Sequence, residues 1–226
     1  MPPPAVRVVS LVPSITETLL AWDVQPVACT RFCEQPELRH VGGTKDPDLD
    51  AIVALEPDLV VMDAEENRRE DHDALVAAGV HVHATAIRSL PDLDEQLPRL
   101  AEQVGASWSP LGAPDAPSPS RRAFVPIWRR PWMALGAPAY GSSLLAALGI
   151  GEITAHRGRY PEVTLEEVAV LGPDVVIAPD EPYPFGERHR AELEQVAPVV
   201  FVDGKDLLWW GARTRGALER LAQRLG

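Results

Sequence analysis

Residues 48–61 read DLDAIVALEPDLVV, and residues 164–177 read TLEEVAVLGPDVVI. The two stretches align without a gap at an offset of 116. Leu49, Leu55, Pro57, Asp58 and Val60 recur as Leu165, Leu171, Pro173, Asp174 and Val176. Asp50, Ile52, Leu59 and Val61 face the similar Glu166, Val168, Val175 and Ile177. Apolar side chains three apart (Leu49, Ile52, Leu55) make one face of a helix. The proline ends that helix, and the β-branched run after it reads as a buried strand. A helix–strand unit written twice predicts two similar α/β lobes. Lobes that face each other form a cleft, the usual place for a small ligand.

The flanking sequence extends this pattern. Residues 7–12 and 26–30 read as strands around a helix over 15–21, for which Ser14 is the expected N-cap and Glu17 the capping-box acid. Residues 31–47 read as loop. After the first repeat copy come a helix over 65–78, closed by Gly79, a strand over 80–85 and a helix over 90–104. Strands alternating with helices predict parallel βαβ units, so each lobe is expected to be a small parallel sheet flanked by helices, Rossmann-like in form. Its ligand-facing loops leave the strand C-termini, at 13–16, 31–35, 63–67 and 86–89. Residues 105–122 carry Pro110, Pro114, Pro117 and Pro119 and read as an interlobe linker. The predicted division is therefore a lobe over 1–105, a linker over 106–122 and a lobe over 123–226. The second lobe repeats the grammar, with strands at 123–127, 133–135 and 199–202 and helices at 142–148, 190–196 and 214–225.

Composition narrows the function. The chain has 226 residues, a net charge of −12 and 46% hydrophobic residues. It shows no basic stripe for nucleic acid, and an anionic membrane surface would repel it. No run of about 18 apolar residues offers a membrane span. The start, MPPPAVRVVS, lacks the basic and apolar regions of a signal peptide. The expectation is therefore a cytoplasmic protein as the chain is written, or a periplasmic or extracellular one if the chain was trimmed. Cys29 and Cys33 lack the spacing of a structural zinc site and read as ordinary thiols.

Candidate chemistry concentrates in aromatic loops of the second half. Trp128, Trp132, Tyr140, Tyr160, Tyr183, Phe185, Trp209 and Trp210 lie near predicted loop ends. Proline-stiffened segments such as 128–132 and 181–186 make rigid walls that lose little entropy on binding, and flat rings suit a large, partly apolar guest. Glu65, Glu66 and Asn67 follow the first repeat strand, and Asp180 and Glu181 hold the matching place in the second lobe. His81 and His83 alternate on a strand and so share a face. They are weak candidates for a transition-metal site, with no third ligand at a useful spacing. Gly42-Gly43-Thr44-Lys45 lacks the frame of a phosphate loop. No GxSxG elbow or HExxH motif is present, and a non-enzyme is the simpler reading.

The segments RVVSLVPSITETLLAW, VGGTKDPDLDAIVALEPDLVV, EENRRED and RYPEVTLEEVAVLGPDVVIAPDEPYPFGERH together resemble the helical-backbone metal-receptor superfamily. These are class III periplasmic-binding-protein-like proteins, and the nearest branch is that of the cobalamin-binding substrate-binding proteins of ABC importers. The resemblance implies two Rossmann-like lobes with a corrinoid or metal chelate between them, no catalysis and no intrinsic cofactor. Its implied partners are the small-molecule ligand and, in an exported form, an ABC permease. The first-lobe contacts it implies are Pro13, Ser14, Phe32, Cys33, Thr44, Lys45 and Glu65 to Asn67. The second-lobe wall it implies is Trp128, Trp132, Tyr140, Arg159, Tyr160, Tyr183, Phe185 and Trp210, with Glu181 beside it. The helix that bridges the lobes in this superfamily is expected to be shortened or missing, because the prolines of the linker break any helix there. Two alternatives stand beside this reading: a cytoplasmic enzyme acting on a corrinoid precursor, with Glu66 or Glu181 as acid or base, and a bare-metal receptor using His81 and His83.

Overall fold

The structure is a computed structural model that describes residues 6–112 and 118–226. The first residues of the segment weighed as a possible signal peptide, and 113–117 of the predicted linker, lie outside the described residues. The chain divides into two compact units. Of the described residues, the first unit holds those up to Ile87 together with Asp92–Pro110 and Trp210–Ala212. The second holds Arg88–Pro91, those from Leu111 to Trp209, and Arg213–Gly226.

The first unit runs β1 (Val8–Ser10), α1 (Pro13–Ala21), β2 (Ala28–Cys29), α2 (Leu49–Val53), β3 (Leu59–Asp63), α3 (Arg69–Ala77), β4 (Val82–Thr85) and α4 (Leu90–Gln103), the last with its first residues in the other unit. Its sheet is four-stranded, in the order β2-β1-β3-β4, and every pairing is parallel. The second unit runs β5 (Arg121–Phe124), β6 (Pro126–Trp128), β7 (Trp132–Ala134), α5 (Tyr140–Ala147), β8 (Ile150–Glu152), β9 (Glu162–Val163), α6 (Leu165–Leu171), β10 (Val175–Pro179), α7 (Arg190–Leu193), β11 (Val199–Val202), α8 (Gly204–Leu208) and α9 (Thr214–Leu225). Its main sheet is also parallel, in the order β11-β10-β5-β8. Read from the other edge this is the order of the first unit, so the repeat in sequence is a repeat in topology.

The repeated Leu-x-Pro-Asp has a physical role in both copies. Asp58 Oδ2 accepts the Arg7 backbone N–H at 2.8 Å, and Asp174 Oδ2 accepts that of Arg122 at 2.7 Å. In return the Asp58 and Asp174 N–H groups donate to the Arg7 and Arg122 carbonyls at 2.9 and 2.8 Å. Each aspartate thus clips the entry of its repeat strand to the neighbouring strand, and the arginine side chains reach back to Leu55 O and Gly172 O. The helix faces are buried as the spacing predicts: Ile52 packs with Val9, Leu11, Val60 and Met62, and Val168 with Phe124, Val176 and Ala178.

Several local expectations need correction. Helix α1 begins at Pro13 with Val12 as its N-cap and no side-chain cap. A proline at the first helical position has no N–H to leave unsatisfied, so Ser14 lies inside the helix and caps nothing. The run over 123–127 is split. Pro126 cannot donate to a ladder, so β5 ends before it and β6 pairs instead with β7. Strands β6, β7 and β9 form a separate antiparallel sheet, which a purely parallel second lobe did not anticipate. Strand β8 is three residues with a glycine in the middle, and α8 five residues. Neither is long enough to show a period in sequence. After Gln103 no further helix occurs among the described residues before β5, in keeping with the proline content. Trp108 is anchored there, its Nε1 donating to Asp94 Oδ1 at 2.8 Å and its ring edge-on to Trp22 at 6.4 Å.

Candidate functional site

In the first unit the loops leaving the strand C-termini are tied by hydrogen bonds. β3 ends on Asp63, which is buried. Its Oδ2 accepts the Thr85 hydroxyl at the end of β4 at 2.7 Å, and its Oδ1 accepts the Glu65 N–H at 2.9 Å. Asn67, also buried, accepts the Asp63 N–H at 2.9 Å and donates through Nδ2 to Thr44 O at 2.9 Å and Leu11 O at 3.2 Å. One amide therefore holds three segments in register: the end of β1, the 42–47 loop and the end of β3. Lys45 Nζ donates to Glu65 O at 2.6 Å, closing the 44–45 loop on the same group. Thr16 and Ser10 are bonded at 2.8 Å below α1. Asp63, Thr85, Thr16 and Ser10 did not stand out in the sequence; the one signal of Asp63, Thr85 and Ser10 is position, at strand ends, and Thr16 lies in α1.

The residues expected to contact ligand from this unit divide by exposure. Phe32 is 51% exposed, with the Arg31 guanidinium 4.8 Å from its ring centre. Lys45 and Glu66 are exposed, while Pro13, Thr44 and Glu65 are half-buried. The Glu66 carboxyl lies above the usual carboxylate range, because neighbouring atoms bury its charged end and Asp63 repels it, against the attraction of Lys45. Ser14, Cys33 and Asn67 are buried, and Asn67 is committed to the loops it joins. A pocket of about 380 Å³ opens beside Asp63, Asn67 and the start of α3. Its arginines are already paired, Arg68 with Asp71 and Arg69 with Asp73, which suits a solvated face better than an apolar guest.

In the second unit rings replace hydrogen bonds. Tyr183 packs on Phe185 with centres 4.7 Å apart, and Trp128 meets Tyr183 edge-on at 5.7 Å. Trp132 stacks on Phe185 at 5.9 Å with planes 6° apart. His189, buried, closes the group at 5.5 Å from Tyr183 and 5.4 Å from Phe185. Burial, then the charges of Arg188 and Arg129, hold its pKa below the ordinary histidine value, so it sits among the rings as a neutral side chain. Arg129 lies 5.8 Å from the Trp132 ring centre and pairs with Glu192 at 2.9 Å. The sequence brought forward these rings but not His189, Arg129 or Glu192.

Exposure again separates the expected contacts. Trp128 is 43% and Tyr160 42% exposed. Trp132, Arg159, Glu181 and Tyr183 are half-buried. Phe185 belongs to the core of its unit, so its ring supports the others. Tyr140 is buried, its hydroxyl 2.9 Å from Thr214 Oγ1, and burial pushes its pKa up. Trp210, expected in the second-lobe wall, is buried and belongs to the first unit with Gly211 and Ala212. The Ala212 N–H donates to Thr18 Oγ1 at 3.1 Å, and Gly211 (φ 115°) has no room for a Cβ against Thr18. This close approach returns a late stretch of chain to α1, and no periodicity foreshadows it. His81 is exposed and His83 half-buried. Among the described residues no three His, Cys, Asp or Glu side chains gather as a metal-holding group.

Comparison with known proteins gives the fold its context. A family model described as periplasmic binding protein matches residues 8–107. The vitamin B12-binding protein of Salmonella typhimurium is 27% identical over 191 residues, covering 76% of this chain and 72% of the relative. That of Yersinia pestis (strain Pestoides F) is 29% identical over 195 residues, covering 76% and 69%. Among solved structures, the periplasmic vitamin B12-binding protein of Vibrio cholerae superposes with a TM-score of 0.78 at 21% identity, covering 98% of this chain and 97% of that one. The periplasmic heme-binding protein of Roseiflexus sp. RS-1 superposes with a TM-score of 0.77 at 22% identity, covering 97% of both. Residues 8–107 thus match the periplasmic-binding-protein model, and about three quarters of the chain is similar to vitamin B12-binding proteins. The solved relatives are described as periplasmic, and the cytoplasmic expectation finds no support in them. Among the described residues no helix is long and apolar enough to cross a membrane.

Proposed function

We propose that this chain is a non-catalytic binding protein for a corrinoid such as cobalamin, or for a closely related metal chelate, of the type that delivers its ligand to an ABC permease. The observation that carries the reading is the ring group of the second unit. Trp128 presents an exposed indole that is held edge-on by Tyr183, which rests on Phe185 and His189. A ring fixed before binding loses little freedom when a flat guest packs on it, and its face offers dispersion and quadrupole contact. The vitamin B12- and heme-binding relatives supply the class of guest. Tyr160, Arg159 and Glu181 are the further contacts proposed on the second unit, and Phe32, Lys45 and Glu66 those proposed on the first.

Titration of the purified chain with cyanocobalamin, cobinamide and hemin tests this, followed by calorimetry and the visible absorbance of the ligand. Saturable binding of a corrinoid is the expected result. Trp128→Ala is expected to weaken it by roughly 1–3 kcal/mol, the scale of a buried aromatic contact. No response to any of the three ligands would overturn the reading.

A further inference from the structure

We propose that His189 is a positioning residue for the ring wall of the second unit, and that it holds the wall only while its imidazole is uncharged. The use of the wall as a ligand surface rests on the binding reading above; the hold of His189 on the rings does not. His189 ends a single 3-10 turn, Glu187–His189, and is buried. Its ring stands edge-on to Tyr183 at 5.5 Å and to Phe185 at 5.4 Å. Tyr183 in turn meets Trp128 at 5.7 Å. The imidazole is thus the inner support of the ring whose outer neighbour is the exposed indole.

The hydrogen bonds of the ring leave place for one hydrogen. The Gly186 N–H donates to Nδ1 at 3.2 Å. A backbone N–H cannot turn away, so Nδ1 carries no hydrogen, and the single hydrogen of the neutral ring sits on Nε2. Nε2 lies 3.5 Å from the Tyr183 hydroxyl, the titratable group that faces it from the loop after β10. Arg188 Nε lies 3.3 Å from the same nitrogen, on an exposed side chain that can turn into solvent. A second hydrogen would go on Nδ1, against the Gly186 N–H. Burial opposes the charge it brings, and so do Arg188 of the same turn and Arg129 of the β6–β7 turn. Two groups favour the charged ring, Glu192 of α7 and the Gly186 carbonyl. Both are already engaged, Glu192 by Arg129 at 2.9 Å and the carbonyl by the His189 N–H at 2.8 Å. Glu187 and Glu194 are taken up by Arg190. A proton on His189 thus breaks the Gly186 bond and meets two guanidinium groups, and the ring leaves the group to reach water. Tyr183 then loses its inner support, and Trp128 the neighbour that fixes it. Because the packed form excludes the proton, the midpoint of the change lies below the ordinary histidine value.

The test begins on the whole chain without ligand. NMR follows the imidazole C–H signals of His189 and the indole N–H of Trp128, both assigned through the backbone, from about pH 8 to about pH 5. The two are expected to move together, at one midpoint below the ordinary histidine value. Asparagine keeps an acceptor near the place of Nδ1 and takes up no proton. In His189→Asn the Trp128 signal is therefore expected to hold still over the same range. In a second arm, the affinity of the unmodified chain for cyanocobalamin is expected to fall about tenfold per pH unit below that midpoint, and that of His189→Asn to stay level. If no corrinoid binds at any pH, the binding reading fails and the first arm still decides this one. A His189 signal that titrates at the ordinary value, or a Trp128 signal that follows pH equally in both chains, would overturn the proposal. Should His189→Asn not fold, the unmodified chain decides alone: separate midpoints for His189 and Trp128 would overturn it.

Discussion

The two repeat strands, β3 and β10, carry the same frame and end on opposite chemistry. At the offset of 116, Asp63 of the first unit faces Pro179 of the second, and Asn67 faces Tyr183. The first pair organises its loops through a buried carboxylate and amide that between them engage Thr85, Glu65, Thr44 and Leu11. The second pair begins a cluster of rings in which Tyr183, Phe185, Trp132 and His189 hold one another by packing. The sheet order beneath is shared. A helix–strand unit thus tolerates either solution above its strand ends, hydrogen bonds to buried Asp63 and Asn67 in one and ring packing in the other.

The contrast can be broken most forcefully on the apolar side. Phe185→Ala removes the ring on which Tyr183 and Trp132 rest, and is expected to lower stability by about 3–5 kcal/mol, read as a shift in the urea midpoint at constant slope. On the polar side, Asn67→Ala leaves the Asp63 N–H and the Leu11 and Thr44 carbonyls without their partner. The expected loss is about 2–4 kcal/mol, and Asn67→Asp, which keeps one acceptor and no donor, should recover only part of it. Equal losses for Asn67→Ala and an exposed control such as Arg69→Ala would remove the claim that the amide ties the loops.

The repeat helices give a finer comparison. α6 ends on Gly172 in the left-handed region at φ 61°, whereas the matching residue after α2 is Glu56 at φ 47°. A residue with a Cβ is strained there by about 1–2 kcal/mol, partly offset by the greater freedom of an unfolded glycine. Glu56→Gly is therefore expected to raise thermal stability by about 0.5–1 kcal/mol, and Gly172→Ala to lower it by a similar amount; matching signs would show that the two copies end differently from one another. The smallest effect on stability is expected for Trp128→Ala, because the residue is 43% exposed and lies outside the core of its unit. The same variant carries the largest expected effect on ligand titration, which separates a ring that binds from rings that hold the unit together.

Much of this architecture is legible in the sequence because it is local. The three-residue spacing of Leu49, Ile52 and Leu55, the stop at Pro57 and the run after it need only short-range geometry. Their recurrence at 164–177 adds the twin units. The aromatic segments 128–132 and 181–186 were visible for the same reason, as rings between prolines. The antiparallel sheet was not, because Pro126 interrupts an apolar run that looks like one strand. Nor was the place of Trp210, which depends on Gly211 approaching Thr18 almost two hundred positions away in the chain.

By itself the sequence determined two copies of a parallel α/β unit and a second half rich in rings near its loops, since period, proline and β-branching act over a few residues. Only the tertiary structure decided which rings are free. It buried Tyr140, Phe185 and Trp210, left Trp128 and Tyr160 open to solvent, and brought Thr16 and Thr30 onto the sulfur of Cys33. Exposure and hydrogen-bond partnership are set by contacts between segments far apart in the chain, and no local pattern encodes them.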